Sequence, residues 1–160
     1  MHLYDPNAWQ PLVSDLTQPL TASQQDWLIN PDSLTHRLRA FTHNTIAHHL
    51  LFNDWEDAEK KYWIRRMEWR YQGKTWVRCV ITIPKNSLVD ELKNIGTCSI
   101  GDILFADPTL RRSEFIFEKN NGMITRTSTF YFKEKPIQLT ETFLPEFFEF
   151  VETHPKLACF

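Results

Sequence analysis

Residues 61–84 read KYWIRRMEWRYQGKTWVRCVITIP, and their alternation decides the fold class. The stretch divides into two strands joined by a tight turn at "QGKT". Side chains of a strand point alternately to opposite faces. Every second residue of the first strand gives Trp63, Arg65, Met67, Trp69 and Tyr71, an apolar face interrupted by one arginine. The opposite parity gives Arg66, Glu68 and Arg70, a solvated face. A guanidinium therefore stands among residues that a sheet buries.

Outward from this hairpin, the chain alternates short helices and strands. Residues 1–21 read as an extended lead-in with Pro6, Pro11 and Pro19. "TASQQDWLIN" predicts a short helix capped at Thr21 or Ser23, and Pro31 breaks it. Asp32 or Ser33 caps a second helix, "SLTHRLRAF", with Leu34, Leu38 and Phe41 at helical spacing. "HNTIAHHLLF" is compatible with a strand, and "NDWEDAEKKY" reads as a charged helix capped near Asn53 or Asp54. After the hairpin, "NSLVDELKNIG" is a helix ending before Gly96. "SIGDILFADP" supplies a helical turn and a break at Pro108. "RSEFIFEK", "MITRTSTFYF" and "IQLTETFL" form a strand meander, and "PEFFEFVETH" is a final amphipathic helix. Hairpin-linked strands with helices early and late predict an α+β domain on an antiparallel sheet.

The totals bound the function. A chain of 160 residues, 42% apolar and 14% aromatic, supports one domain over residues 1–160 with a substantial core. A formal charge of -2 gives no reason to expect nucleic acid or an anionic membrane as partner. No run approaches a bilayer span, and the N-terminus lacks the pattern of a signal peptide. Cys79, Cys98 and Cys159 are too scattered for a zinc pattern and too few to pair fully. Each reads as a small core residue in a reduced, cytoplasmic setting. His43, His48 and His49 have no carboxylate or cysteine at metal-ligand spacing and read as ordinary strand or loop residues. Nor is there a phosphate loop, a GxSxG or an HExxH. "RR" at 111–112 is too short for a nucleic-acid patch.

The lone charges on apolar faces are the informative feature. On the second hairpin strand Trp76, Arg78, Val80 and Thr82 share a parity. In the meander Ile124, Arg126, Ser128, Phe130 and Phe132 share one, and Ile137, Leu139, Glu141 and Phe143 another. Arg65, Arg78, Arg126 and Glu141 are thus expected to point inward. A buried charge costs several kcal/mol unless paired. Three explanations stand: an internal ion pair of Glu141 with an arginine, an open wet face, or a pocket for an anion. Arginine suits a carboxylate because its planar fork donates two parallel hydrogen bonds.

The blocks "WLINPDSLTHRL", "YWIRRMEW", "GKTWVRCVITIP", "IGTCSIGDILFADPTLRRSEF" and "RTSTFYFKEKPIQLTETFLP", in that order, resemble the chorismate–pyruvate lyase family of ubiquinone biosynthesis. The resemblance runs from about Trp27 to Pro145. It implies a six-stranded antiparallel sheet whose helices and flap loops enclose an internal site. It also implies conversion of chorismate to 4-hydroxybenzoate and pyruvate without metal or organic cofactor. The small molecule is the expected partner, and the protein is expected to be a monomer. The family's ring-carboxylate arginine falls on Arg65 and its glutamate on Glu141; both are the implied catalytic residues. Two apolar family contacts fall on Leu34 and Ile100. The family's second arginine falls on Val80. Arg78, two residues earlier and about 7 Å along the strand, is the expected substitute, with Arg126 next in line. Glu141 would orient the C4 hydroxyl or act as a base, and Glu141→Gln is expected to leave stability little changed or raised. The alternative is a non-catalytic aromatic-acid sensor of the same fold. Such sensors follow a DNA-binding region, for which this chain is expected to be too short.

Overall fold

The computed structural model describes residues 20–154. The expectations for residues 1–19 and for Cys159 lie outside the described residues. In chain order the elements are α1 (Ala22–Ile29), α2 (Leu34–Phe41), β1 (Ala47–Trp55), β2 (Tyr62–Tyr71), β3 (Lys74–Pro84), α3 (Ser87–Leu92), α4 (Ile100–Leu104), β4 (Arg111–Arg112), β5 (Ile116–Asn120), β6 (Met123–Phe132), β7 (Lys135–Phe143) and α5 (Pro145–Thr153). The fold is α+β.

The hairpin of β2 and β3 organises the sheet. Its turn residues Gln72 and Gly73 both have positive φ, 50° and 78°, the left-handed pair whose twist matches that of the flanking strands. The sheet runs β1-β2-β3-β7-β6-β4, with β5 also on β6, and every pair is antiparallel. β4 and β5 share one edge of β6 and act as two halves of a single strand. The seven strands thus fill the six expected positions in an open sheet.

Two irregularities set the facing of key side chains. In β2–β3 the register passes from Trp69↔Val77 to Arg70↔Thr75, so Trp76 is an extra residue. Such a bulge breaks the alternation. Trp76 and Val77 are both buried, and from there Cys79, Ile81 and Ile83 face inward. The inward parity expected for Arg78, Val80 and Thr82 is therefore reversed. On the other edge, Arg112 pairs with Phe130 but Ile116 with Thr127. The strand has gained one residue around Ser113–Phe115, and both Arg112 and Phe115 turn inward.

The helices cover the inward face. Thr21 and Gln24 form a capping box on α1, and Ser33 and Asn86 cap α2 and α3. Pro145 opens α5, where its missing N–H costs nothing. Trp27, Phe41, Trp76 and Phe147 meet edge-on or tilted at 5.0–6.0 Å between ring centres, locking α1, α2 and α5 to β3.

The charged helix expected from "NDWEDAEKKY" is absent. β1 continues to Trp55, followed by a turn ending at Lys60, whose φ is 54°. Side-chain bonding overrides the charge pattern: Trp63 Nε1 donates to Asn53 Oδ1, and Asn53 Nδ2 donates to the Lys93 carbonyl. Cys79 is buried as expected, but Cys98 is exposed, because it sits in the turn before α4.

Candidate active site

A pocket lies between the inward face of the sheet and a roof made by α2 and α4. Leu34, Ile100 and Phe130 supply apolar wall, and Glu141, Arg112 and His48 supply polar groups. The two roof helices are tied together by a buried Thr35–Ser99 hydroxyl pair at 2.7 Å and by Arg39, which grips both oxygens of Asp102 at 2.9 Å. Gly101 permits this approach: a Cβ there would stand 3.0 Å from Thr35 Oγ1.

Glu141 occupies β7 between Cys79 on β3 and Arg126 on β6. It is 2% exposed. Arg126 donates from Nε to Oε1 at 2.7 Å and from Nη2 to Oε2 at 3.2 Å, a bidentate pair. Its Nη1 is spent on carbonyls of Leu28 and Asn30 at 2.8 and 3.1 Å. Arg112 adds a third bond, Nη2 to Glu141 Oε1 at 3.3 Å, and donates from Nε to Ser128 Oγ and from Nη1 to the Pro31 carbonyl. The Phe115 ring lies between the two guanidiniums, 4.4 Å from Arg112 and 4.6 Å from Arg126, an attraction to both.

Burial first, and then the Arg126 charge, push the Arg112 guanidinium down to about 9, so it stays cationic at neutral pH. The Cys79 thiol is pushed well up, by burial and then by Glu141. It stays a neutral piece of wall, since only the thiolate is nucleophilic.

Arg65 is 1% exposed and sits differently. Its Nη2 donates to the carbonyls of Gly96 and Cys98 at 2.6 and 2.8 Å. Nε and Nη1 are buried without a hydrogen-bond partner, and no carboxylate among the described residues pairs with it. Burial lowers its pKa, and Cys98 partly offsets this. Among the described residues, three buried guanidiniums stand against one buried carboxylate beside an apolar cavity. Among the described residues no three His, Cys, Asp or Glu gather to hold a metal ion.

The sequence profile of the chorismate lyase family matches residues 4–153. The chain belongs to the chorismate lyase family. It is 34% identical to a probable chorismate pyruvate-lyase of Coxiella burnetii, over 88% of this chain and 92% of that protein. It is 32% identical to the chorismate pyruvate-lyase of Erwinia tasmaniensis, over 86% of this chain and 85% of that one. The chorismate pyruvate-lyase of Proteus mirabilis is 29% identical over 74% of this chain and 79% of its own length.

Of the residues singled out in sequence, this chorismate lyase family member brings Leu34, Ile100 and Glu141 to one pocket. Arg65 lies buried beside it, behind the wall and against the Gly96–Cys98 turn. Arg78 does not join them. Its side chain is 57% exposed and faces Glu68 at 3.7 Å on the outer side of the sheet, because the Trp76 bulge reversed its parity. Arg126 is inside, as its alternation predicted, but committed to Glu141. The residue that sequence reasoning missed is Arg112. Counting alternation back from Phe117 and Phe115 puts it outside, and only the bulge turns it in. His48, expected to be an ordinary strand residue, lines the pocket.

Proposed function

We propose that this protein is a chorismate lyase, converting chorismate to 4-hydroxybenzoate and pyruvate and so supplying the ring of ubiquinone. The site works without metal or organic cofactor, in a single domain spanning 1–160 and in the cytoplasm. The observation that carries the reading is the excess of buried positive charge. Arg65, Arg112 and Arg126 outnumber Glu141 beside apolar walls. Chorismate is a dianion whose product is an aromatic acid, and such a cavity suits both. Charge-assisted hydrogen bonds contribute roughly 1.5–3 kcal/mol each.

Arg65 holds the ring carboxylate with its two unpartnered groups, Nε and Nη1. Glu141 accepts the C4 hydroxyl hydrogen bond at Oε2, which takes only one bond from Arg126 and so retains acceptor capacity. Arg112 uses three N–H groups on Ser128, Pro31 and Glu141 and has further donors for the enolpyruvyl carboxylate. In the reaction the C4–H bond breaks and its electrons enter the ring as the C3–O bond breaks. The oxygen leaves with the enolpyruvyl group, and a hydrogen returned to the methylene carbon gives pyruvate. Aromatisation supplies the driving force, and the apolar walls of the pocket strengthen the ionic contacts by excluding water. The test is to incubate the purified protein with chorismate and EDTA and assay 4-hydroxybenzoate and pyruvate. Equal amounts of both support the proposal. Binding of 4-hydroxybenzoate with no turnover assigns a sensor instead, and activity restored only by added zinc or magnesium overturns the cofactor-free chemistry.

A further inference from the structure

His48 stands on β1 opposite Trp69 of β2 and lines the pocket. Its ring lies against the Trp69 ring, 4.5 Å between centres and 34° between planes. Nδ1 lies 3.1 Å from the Thr97 carbonyl. A carbonyl only accepts, so Nδ1 carries the hydrogen, and Nε2 is the bare nitrogen of the neutral ring. Nε2 has no hydrogen-bond partner among the described residues. Arg65 takes the carbonyls on either side, Gly96 and Cys98. Three successive carbonyls of one turn are thus gripped by two neighbouring side chains. Both have unused nitrogen atoms, His48 lining the pocket and Arg65 buried beside it.

We propose that His48 is the second partner of the ligand's carboxylate beside Arg65, and that it takes up a proton when that carboxylate binds. The inference rests on the chorismate lyase reading of the same site. A neutral Nε2 presents a lone pair to an arriving carboxylate and repels it, whereas a protonated Nε2 donates a charge-assisted hydrogen bond. The charges around the ring oppose protonation. They are Arg65 on β2, Arg39 on α2 with Asp102 of α4 as its partner, and His49 next on β1. Burial, then Arg65, hold the imidazole below its ordinary 6.5, against the opposing Thr97 bond. A bound carboxylate beside the ring offsets these charges, and an adjacent opposite charge moves such a group by about 1–3 units. The consequence has a fixed direction. Affinity for the acid rises as pH falls through the bound-state pKa of His48. It levels off below the lower, free-state value.

The experiment is calorimetric titration of the full chain with 4-hydroxybenzoate at about pH 6.5, in two buffers of different ionisation enthalpy. Wild type is expected to take up a fraction of a proton per ligand and to bind about tenfold tighter for each pH unit within the window. His48→Asn keeps a donor for Thr97 and loses the titrating nitrogen. It is expected to abolish the uptake and flatten the pH dependence. Methyl 4-hydroxybenzoate, lacking the charge, should show no uptake with either protein. Imidazole nitrogen chemical shifts of wild-type His48 provide a second reading that needs no variant: they should move to the protonated form on binding. Binding without proton uptake, or uptake unchanged in His48→Asn, overturns the inference and leaves the lyase reading intact. Failure of wild type both to bind 4-hydroxybenzoate and to convert chorismate removes that reading and this inference with it.

Discussion

Arg126 and Arg65 are buried to the same degree, each 1% exposed, on inward positions of the same sheet. Their surroundings differ in kind. Arg126 has a bidentate carboxylate, two close carbonyls and aromatic faces at 4.6 and 5.2 Å. Arg65 has two carbonyls, two unpartnered nitrogen atoms and no counter-charge among the described residues. A buried ion is tolerable when paired and hydrogen-bonded, and costly otherwise. One arginine is therefore completed by folding. The other has no such completion among the described residues, and in the proposed function the ligand's carboxylate supplies it.

The comparison is most easily broken at Glu141. Glu141→Gln keeps the volume and one acceptor oxygen but leaves Arg126 and Arg112 without their shared counter-charge. The expected loss of stability is about 3–5 kcal/mol, or about 10 °C in melting temperature for a chain of this size. The ion pairs thus point against the sequence-based expectation that this substitution would leave stability little changed or raised. Turnover per folded molecule should also fall, by about two orders of magnitude or more, because Glu141 lines the pocket. Thermal unfolding followed by assay well below the transition separates the two effects. Wild-type melting would show that the cluster around Arg126 does not stabilise the fold.

Arg65→Met should behave in the opposite way. It removes an uncompensated buried cation, and the carbonyls it releases belong to exposed residues that water can reach. Stability is expected to change by no more than about 1–2 kcal/mol. Affinity for 4-hydroxybenzoate should drop roughly a hundredfold, equivalent to two charge-assisted bonds near the low end of their range. The uncharged methyl ester should lose little. Equal losses for acid and ester would place the carboxylate elsewhere.

Arg112 is intermediate between the two. It shares Glu141 with Arg126, so Arg112→Met leaves that carboxylate paired. It also lines the pocket and holds spare donors. Its loss should raise the KM for chorismate about tenfold, one charge-assisted bond's worth, and affect 4-hydroxybenzoate less, since only chorismate has the second carboxylate. Parallel losses for both ligands would assign Arg112 to holding Glu141 alone.

The sequence was readable wherever alternation ran unbroken. β6 and β7 keep strict parity, so Arg126 and Glu141 were correctly expected inside, and the regular part of β2 did the same for Arg65. It became unreadable at two insertions of a single residue, which change parity without leaving a compositional mark. One turned Arg112 in and the other turned Arg78 out. The misread 53–62 segment failed differently. Its charges suit a helix surface, but Asn53 bonds Trp63 across the sheet and also the Lys93 carbonyl, 40 residues away, and a contact so distant in sequence leaves no local signal. The placement of His48 rests on the same kind of distant contact, with Thr97.

Arg78 gives the smallest expected effect and tests the bulge that separates inside from outside. If Trp76 is the extra residue, Arg78 lies on the solvated face, 57% exposed and 3.7 Å from Glu68. Glu68 also accepts from Arg70 and Thr75 at 2.9 and 3.1 Å, so losing Arg78 does not isolate it. Exposed ion pairs are worth about 0–1 kcal/mol, and surface substitutions away from special features fall within about ±0.5 kcal/mol. Arg78→Ala should therefore melt like wild type and convert chorismate with unchanged kcat and KM. Deleting Trp76, by contrast, would remove the bulge and leave Val77 opposite Trp69 and Arg78 opposite Glu68, so Arg78 would stay on the outer face. That variant should still be severely destabilised, since it loses the Trp76 ring packed against Phe41, Tyr71, Phe147 and Phe150. A selective rise in the KM for chorismate in Arg78→Ala would return this arginine to the pocket. It would mean that β3 alternates without a bulge and that the second carboxylate is held from β3 rather than from Arg112.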